Sequence, residues 1–214
     1  MRVIIAIDGP AAAGKGTLGK RLAQHLNLAF LDTGGLYRAV ALKVLDGGGN
    51  PADPAIAEEA AKAITPVDLE TPRLREDRVA QAASVVAAQP AVRAALLAFQ
   101  RDFAHHPPAG FAGALLDGRD IGTVVCPDAT VKLFVTASAE ARATRRFKEL
   151  QAARVETIYE RVLQDIEQRD ARDRERQTAP LRPAGDAIEL DTTALDADAA
   201  FAKAADLIAR KLKG

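Results

Sequence analysis

The stretch GPAAAGKGT, Gly9 to Thr17, constrains the fold of this chain more than any other. Before it stands VIIAID, Val3 to Asp8, a short apolar run that reads as a buried strand. After it comes KGTLGKRLAQHLN, which places Leu18, Leu22 and Leu26 on one face of a helix. Gly9, four residues, Gly14 and Lys15 match most of the P-loop pattern. A glycine-rich turn between strand and helix lets successive backbone N–H groups, and the positive end of the helix, converge on a phosphate. The residues Gly9, Pro10, Ala11, Ala12, Ala13, Gly14, Lys15, Gly16 and Thr17 are therefore expected to hold ATP, with Lys15 on the β- and γ-phosphates. The competing reading, a chance glycine turn with a surface lysine, does not account for the strand and helix around it. Gly16 stands where the strict pattern has a Ser or Thr for Mg²⁺, and Thr17 comes one place late. Mg²⁺ is expected to arrive with ATP, keeping several waters and leaning on ATP oxygens; no protein ligand is assigned to it.

Strand-like and helical segments then alternate. AFLDTG, GALLDG, VKLFVTA and AIELDTT read as strands; GLYRAVALKVL, PAIAEEAAKAI, SAEARATRRFKELQ and DADAAFAKAADLIARKL read as helices. Such alternation predicts an α/β domain with a mainly parallel sheet. With 214 residues, 48% of them apolar, the chain can bury a core of that size. Its formal net charge is zero, which argues against a dedicated nucleic-acid or membrane binder. The lone Cys126 cannot close an internal disulfide and fits a reducing compartment. The apolar run near the N-terminus is broken at Asp8, too early for a signal peptide or a span.

The charged residues are distributed unusually. In TIYERVLQDIEQ, Tyr159, Val162, Leu163 and Ile166 form an apolar stripe; two turns on, the same stripe carries Arg169, Arg172, Asp173 and Arg176. A solvated face laced by Arg169–Asp173 and Asp170–Arg174 pairs is the plain explanation. It leaves unexplained why the inward face is the charged one, whereas a phosphate-bearing partner would explain it. Thr33 and Arg38 follow a strand end in LDTGGLYR, and Asp117, Arg119 and Asp120 crowd a turn after another strand in LLDGRDIGT, where α/β sheets place ligands. In isolation the two carboxylates around Arg119 could be a salt bridge. Arg142, Arg145 and Arg146 lie on consecutive helix turns. Together these groups suit phosphoryl transfer, in which the protein positions the reactants and neutralises charge.

The segments IDGPAAAGKGT, LDTGGLYRAVAL, LLDGRDIGTVVCPDA and QRDARDRERQTAPLRPA resemble the bacterial cytidylate kinases along nearly the whole chain. The resemblance implies a nucleoside-monophosphate-kinase fold: a five-stranded parallel sheet core flanked by helices, an acceptor-binding insert and a helical lid. It implies transfer of the ATP γ-phosphate to CMP or dCMP. Carried onto this chain, it gives Lys15, Arg119 and Arg145 catalytic roles, adds Arg142 to the ATP site, and assigns CMP to Thr33, Arg38, Ser84, Arg93, Asp117, Arg119, Asp120, Arg169, Asp173 and Arg176. The core is expected over 1–45, 105–146 and 177–214, the insert over 46–104 and the lid over 147–176. Between Gly47 and Asp77 the antiparallel strands of the family pattern are missing, so a shortened insert is expected. A cytoplasmic monomer acting on ATP and CMP or dCMP, with no nucleic-acid or membrane partner, completes this reading. Two alternatives remain: a P-loop kinase for another nucleotide or metabolite, and a nucleotide-dependent switch, which would carry the Asn-Lys-x-Asp motif that this chain lacks.

Overall fold

Strands β1 (Val3–Asp8), β2 (Leu28–Asp32), β3 (Gly113–Gly118), β4 (Val131–Thr136) and β5 (Ile188–Asp191) pair in parallel in the order β2-β3-β1-β4-β5. The structure, a computed structural model, describes residues 2–213; the first and last residues of the expected 1–214 span lie outside it. Side chains alternate across each strand. Ile5, Ile7, Leu115, Leu133 and Val135 face one side, and Ile4, Ala6, Leu31, Ala114 and Leu116 the other. Both faces are apolar, so both must be covered.

Helices α1 (Lys15–His25) and α8 (Ala197–Lys213) cover the first face with Leu18, Leu22, Ala204 and Ile208. Helices α2 (Thr33–Asp46), α3 (Pro54–Lys62), α4 (Asp77–Val86) and α5 (Pro90–His105) cover the second. Fully buried Leu22, Leu36, Leu115 and Leu116 each contribute roughly 1.5–3 kcal/mol by leaving water. Helices α6 (Ala139–Ala152) and α7 (Tyr159–Glu175) form a hairpin with its own small core of Ala143, Leu150, Val162 and Ile166.

Local chemistry moves several expected boundaries. The second strand stops at Asp32 because the Asp32 carboxylate accepts the Gly35 N–H and starts α2 at Thr33. The first helix stops at His25, and Asn27 turns into the left-handed region at φ 52°. Ser138 caps α6 by accepting the Ala141 N–H. The expected lid boundary at 146/147 falls inside α6, so the hairpin begins earlier, at α6's first residue, Ala139.

Between 46 and 104 the described residues contain no strand, only α3, two 3₁₀ turns at Pro66–Leu69 and Pro72–Arg75, α4 and α5. This segment shares one apolar cluster with the sheet: Ala57, Val79, Val86 and Leu96 belong to the same core as Ile4 and Leu116. Among the described residues, no single helix is long and apolar enough to cross a membrane.

Candidate active site

The C-terminal ends of β1, β2 and β3 open into one cleft of about 1840 Å³, bounded by the phosphate loop, α4 and the α6–α7 hairpin. Its floor begins at Gly9. A Cβ there would lie 1.9 Å from the Val135 carbonyl oxygen, and φ is +148°, so only glycine lets β1 turn into the loop at this point. The loop leads to Gly14, which caps α1 without a side chain and leaves the first amides of the helix available to an anion.

Lys15 folds back into the loop. Its ammonium donates to the Pro10 carbonyl at 2.8 Å and lies 3.9 Å from Asp117 Oδ1, with the side chain only 4% exposed. Burial and then Arg119 pull the Lys15 ammonium down to about 7, against the opposing pull of Asp117 and Asp8. Burial also raises the Asp117 carboxyl, although Lys15 counteracts it. Asp117 sits beside the start of α1: a Cβ on Gly16 would stand 3.6 Å from its Oδ2. Thr33 Oγ donates to the Asp117 backbone carbonyl at 2.8 Å, locking β2 to β3 at the cleft floor.

A second group of cations gathers opposite the loop. Arg38 donates to Asp32 at 2.5 Å. Arg119 donates through Nε to Asp173 at 3.1 Å and through Nη1 to the Gly118 carbonyl at 3.0 Å. Neither Asp117 nor Asp120 hydrogen-bonds Arg119, so Asp173 on α7 is its brace, and the local salt bridge that the sequence left open is absent among the described contacts. Burial and then Arg119 bring Arg169 down to about 10, and Arg38 and Arg172 push the same way. Arg119 and Arg169 thus oppose the charge on Lys15, and Arg119, Arg38 and Arg172 that on Arg169, an arrangement that a polyanion relieves. Burial would raise the Asp173 carboxyl; Arg119, Arg169 and Arg176 outweigh it and hold the group below the usual carboxylate range.

Farther from the loop, Arg93 donates to Asp120 in a short buried ion pair and to the Ala87 carbonyl at 3.1 Å. The Arg93 guanidinium lies over the Tyr37 ring, 5.5 Å from its centre. Arg176 approaches Asp120 at 3.7 Å and Asp173 at 3.9 Å, and anchors its Nε on the Ala179 carbonyl at 2.5 Å. Ser84 lies buried on α4 at the same end of the cleft. Four buried polar atoms of residues lining the cleft make no hydrogen bond: Ser84 Oγ, Asp117 Oδ1, Arg169 Nε and Arg176 Nη2; Asp117 Oδ1 has only Lys15 at 3.9 Å and Arg176 Nη2 only Asp120 at 3.7 Å.

Two expected residues are placed differently. Arg142 does not line the cleft: its guanidinium is consumed by Asp170 at 3.0 and 2.6 Å and by the Ala137 and Ala11 carbonyls at 2.9 and 3.3 Å. Arg145 does line the cleft, but its guanidinium is held by Thr192 and the Leu195 carbonyl, in the loop that follows β5. The sequence reading missed Asp170, Tyr37, Thr192 and Asp8. Asp8 offered a signal, a carboxylate ending an otherwise apolar strand. Burial pushes it up to about 7, against hydrogen bonds from Gly122 and Ile121.

A P-loop at the end of a parallel sheet, facing a second cation-lined site under a helical hairpin, defines a phosphotransferase of the nucleoside-monophosphate-kinase type. The sequence profile of the family described as Cytidylate kinase matches residues 5–210. The cytidylate kinase of Paramagnetospirillum magneticum is 61% identical over 211 residues, covering 99% of this chain and 100% of the relative. That of Granulibacter bethesdensis is 58% identical and covers 99% of both. The chain belongs to the cytidylate kinase family. The fold is also similar to the crystal structure of an uncharacterized protein from Eubacterium ventriosum, at TM-score 0.54 and 16% identity, covering 100% of this chain and 99% of that one.

Proposed function

We propose that the cleft transfers the γ-phosphoryl group of ATP to CMP or dCMP, giving ADP and CDP or dCDP. Membership of the cytidylate kinase family supports the reaction. The observation that carries the assignment of the acceptor site is the set of three buried cleft-lining atoms without a hydrogen bond, Ser84 Oγ, Arg169 Nε and Arg176 Nη2. A buried polar group left unpaired costs about 1–3 kcal/mol, so three lining one cleft point to a polar ligand that completes them.

In this reading the phosphate loop from Gly9 to Thr17 holds ATP, with Lys15 on its terminal phosphates. Arg38 and Arg119 hold the phosphate of CMP, and one of its oxygens attacks the γ-phosphorus in line. The new P–O bond forms as the bond to the ADP oxygen breaks. Lys15 and Arg119 neutralise the charge spread over the group in flight. Asp120, Arg93 and Ser84 face the cytosine; Asp173 and Arg169 face the pentose; Thr33 and Asp117 fix the floor. Arg145 bounds the side of the ATP nucleoside, and Arg142 serves ATP indirectly by seating the hairpin on the loop.

Mg²⁺ suits the same place. Asp117 is a buried carboxylate beside the start of α1 whose Oδ1 accepts no hydrogen bond, and with Thr17, which lines the same cleft, it would hold the ion alongside ATP oxygens. Bound there, the ion would shield the β- and γ-phosphate charge. The segment 147–176 acts as the lid and 46–104 as the acceptor-binding insert. We take the monomer as the working unit and place it in the cytoplasm with the nucleotide pool.

The test is a coupled ADP-release assay with CMP, dCMP, UMP and AMP. Turnover with CMP and dCMP far above the other two is expected. Equal turnover across the panel, or preference for AMP, would remove the cytidine assignment.

A further inference from the structure

Asp120 occupies the capping position of a short π-helical turn, Ile121–Val125. An aspartate in such a position ordinarily folds its carboxylate back onto the first free amides of the turn. Asp120 makes no such bond; its carboxylate faces Arg93 and Arg176 across the cleft. The amides of Ile121 and Gly122 are capped from elsewhere. Each donates to one oxygen of the Asp8 carboxylate, both at 2.7 Å.

Asp8 lies 113 residues before Ile121, at the end of the central strand, and is 5% exposed. The next residue, Gly9, opens the phosphate loop. A single carboxylate therefore joins the loop assigned to ATP with the turn that carries Arg119 and Asp120. The seat is tight: a Cβ on Gly122 would stand 3.1 Å from the Lys132 side chain and 3.4 Å from Asp8 Oδ2.

We propose that Asp8 caps this turn in place of Asp120, and is thereby a positioning residue for the choice of cytosine. With the amides of Ile121 and Gly122 satisfied, the Asp120 carboxylate is free to face the base, at a distance from the phosphate loop fixed by β1. Without Asp8, the carboxylate left at the capping position is that of Asp120 itself, which would turn back onto the Gly122 amide and away from Arg93. This proposal rests on the reading of Asp120 as the group that faces cytosine.

Asp8→Asn tests it. The asparagine keeps the volume of Asp8, but it accepts one amide and sets its own NH₂ against the other. The expected result is a KM for CMP raised about tenfold, a KM for ATP changed less than about twofold, and a CMP-over-UMP ratio of kcat/KM narrowed about tenfold. Hydrogen exchange at the Ile121 and Gly122 amides should accelerate. A purely structural role would lower both substrates by one factor. An unchanged CMP-over-UMP ratio in Asp8→Asn, with the ratio narrowed in Asp120→Ala, overturns the proposal and spares the reading of Asp120. An unchanged ratio in Asp120→Ala overturns that reading, and the proposal with it. If Asp8→Asn fails to fold by its melting curve, Gly122→Ala displaces the same turn from the other side. A narrowed ratio in that variant supports the proposal, and an unchanged one overturns it.

Discussion

Arg142 and Asp170 face each other through two parallel hydrogen bonds, at 3.0 and 2.6 Å, with side chains 3% and 5% exposed. The same guanidinium reaches the Ala11 carbonyl in the phosphate loop. One arginine thus clamps α6, α7 and the loop together. Removing either partner leaves a buried charge uncompensated, at a cost of about 3–5 kcal/mol. Arg142→Ala and Asp170→Ala should each lower the melting temperature by many degrees, and the double variant should lose less than the sum. A thermal shift below one degree for either single variant would show that the pair carries no stability.

Lys15→Ala should fold and lose about a hundredfold or more in turnover. The side chain is a buried cation within reach of Asp117, and losing a charged donor on a group in flight commonly costs several kcal/mol. Steady-state kinetics on the folded variant checks this. Near-normal turnover would end the assignment of the phosphate loop.

The free enzyme holds Lys15 at about 7 through burial and the neighbouring Arg119. Folding therefore strips its proton between about 7 and the ordinary lysine value, and a bound phosphate restores it. At pH 8, ATP binding should take up about one proton, and affinity should fall as pH rises above 7. Titration calorimetry in two buffers of different ionisation heat measures the uptake, with Lys15→Ala as the control. Proton release, or equal uptake in the control, contradicts this account.

Asp120→Ala separates base reading from simple bracing. Cytosine presents an N4–H₂ donor to a carboxylate, whereas uracil presents an O4 acceptor at that place. CMP activity should fall much more than UMP activity, narrowing a discrimination of roughly a hundredfold. Equal factors for both substrates in kcat/KM would show that Asp120 does not select the base.

Closure should be one-sided. Residues 46–104 are welded into the core of the sheet, while the hairpin carries its own four-residue core. Amide exchange across 147–176 should slow on adding a bisubstrate analogue, with far smaller change in α3 and α5. Protection of equal size in both regions would count against a mobile hairpin on a fixed insert.

The sheet was legible in the sequence because its strands are short, largely apolar runs, some of them ending in a polar residue, as in VIIAID and LAFLD. The positions of Lys15, Arg38, Arg119 and Arg169 were legible because they follow strand ends or continue an apolar stripe into charge. Partner choice was hidden. Asp170 read as a surface mate of Arg174, at 3.4 Å, yet its main partner is Arg142, 28 residues away on another helix. Asp8 and Ile121 meet across 113 residues through a backbone amide, which leaves no trace in side-chain pattern. The 3₁₀ turns at Pro66–Leu69 and Pro72–Arg75 have too few residues to show a period.

The separate core of the hairpin also bears on how mutations combine. Ala143, Leu150, Val162 and Ile166 share no cluster with Ile5, Leu22 or Leu133 on the sheet. Losses from truncating Leu150 and Leu133 should therefore add within a few tenths of a kcal/mol, whereas truncations within one cluster should not. Substitutions confined to one of these apolar clusters can therefore accumulate with little effect on the other, whereas changes at Arg142 or Ala12, which tie the hairpin to the phosphate loop, are felt on both sides.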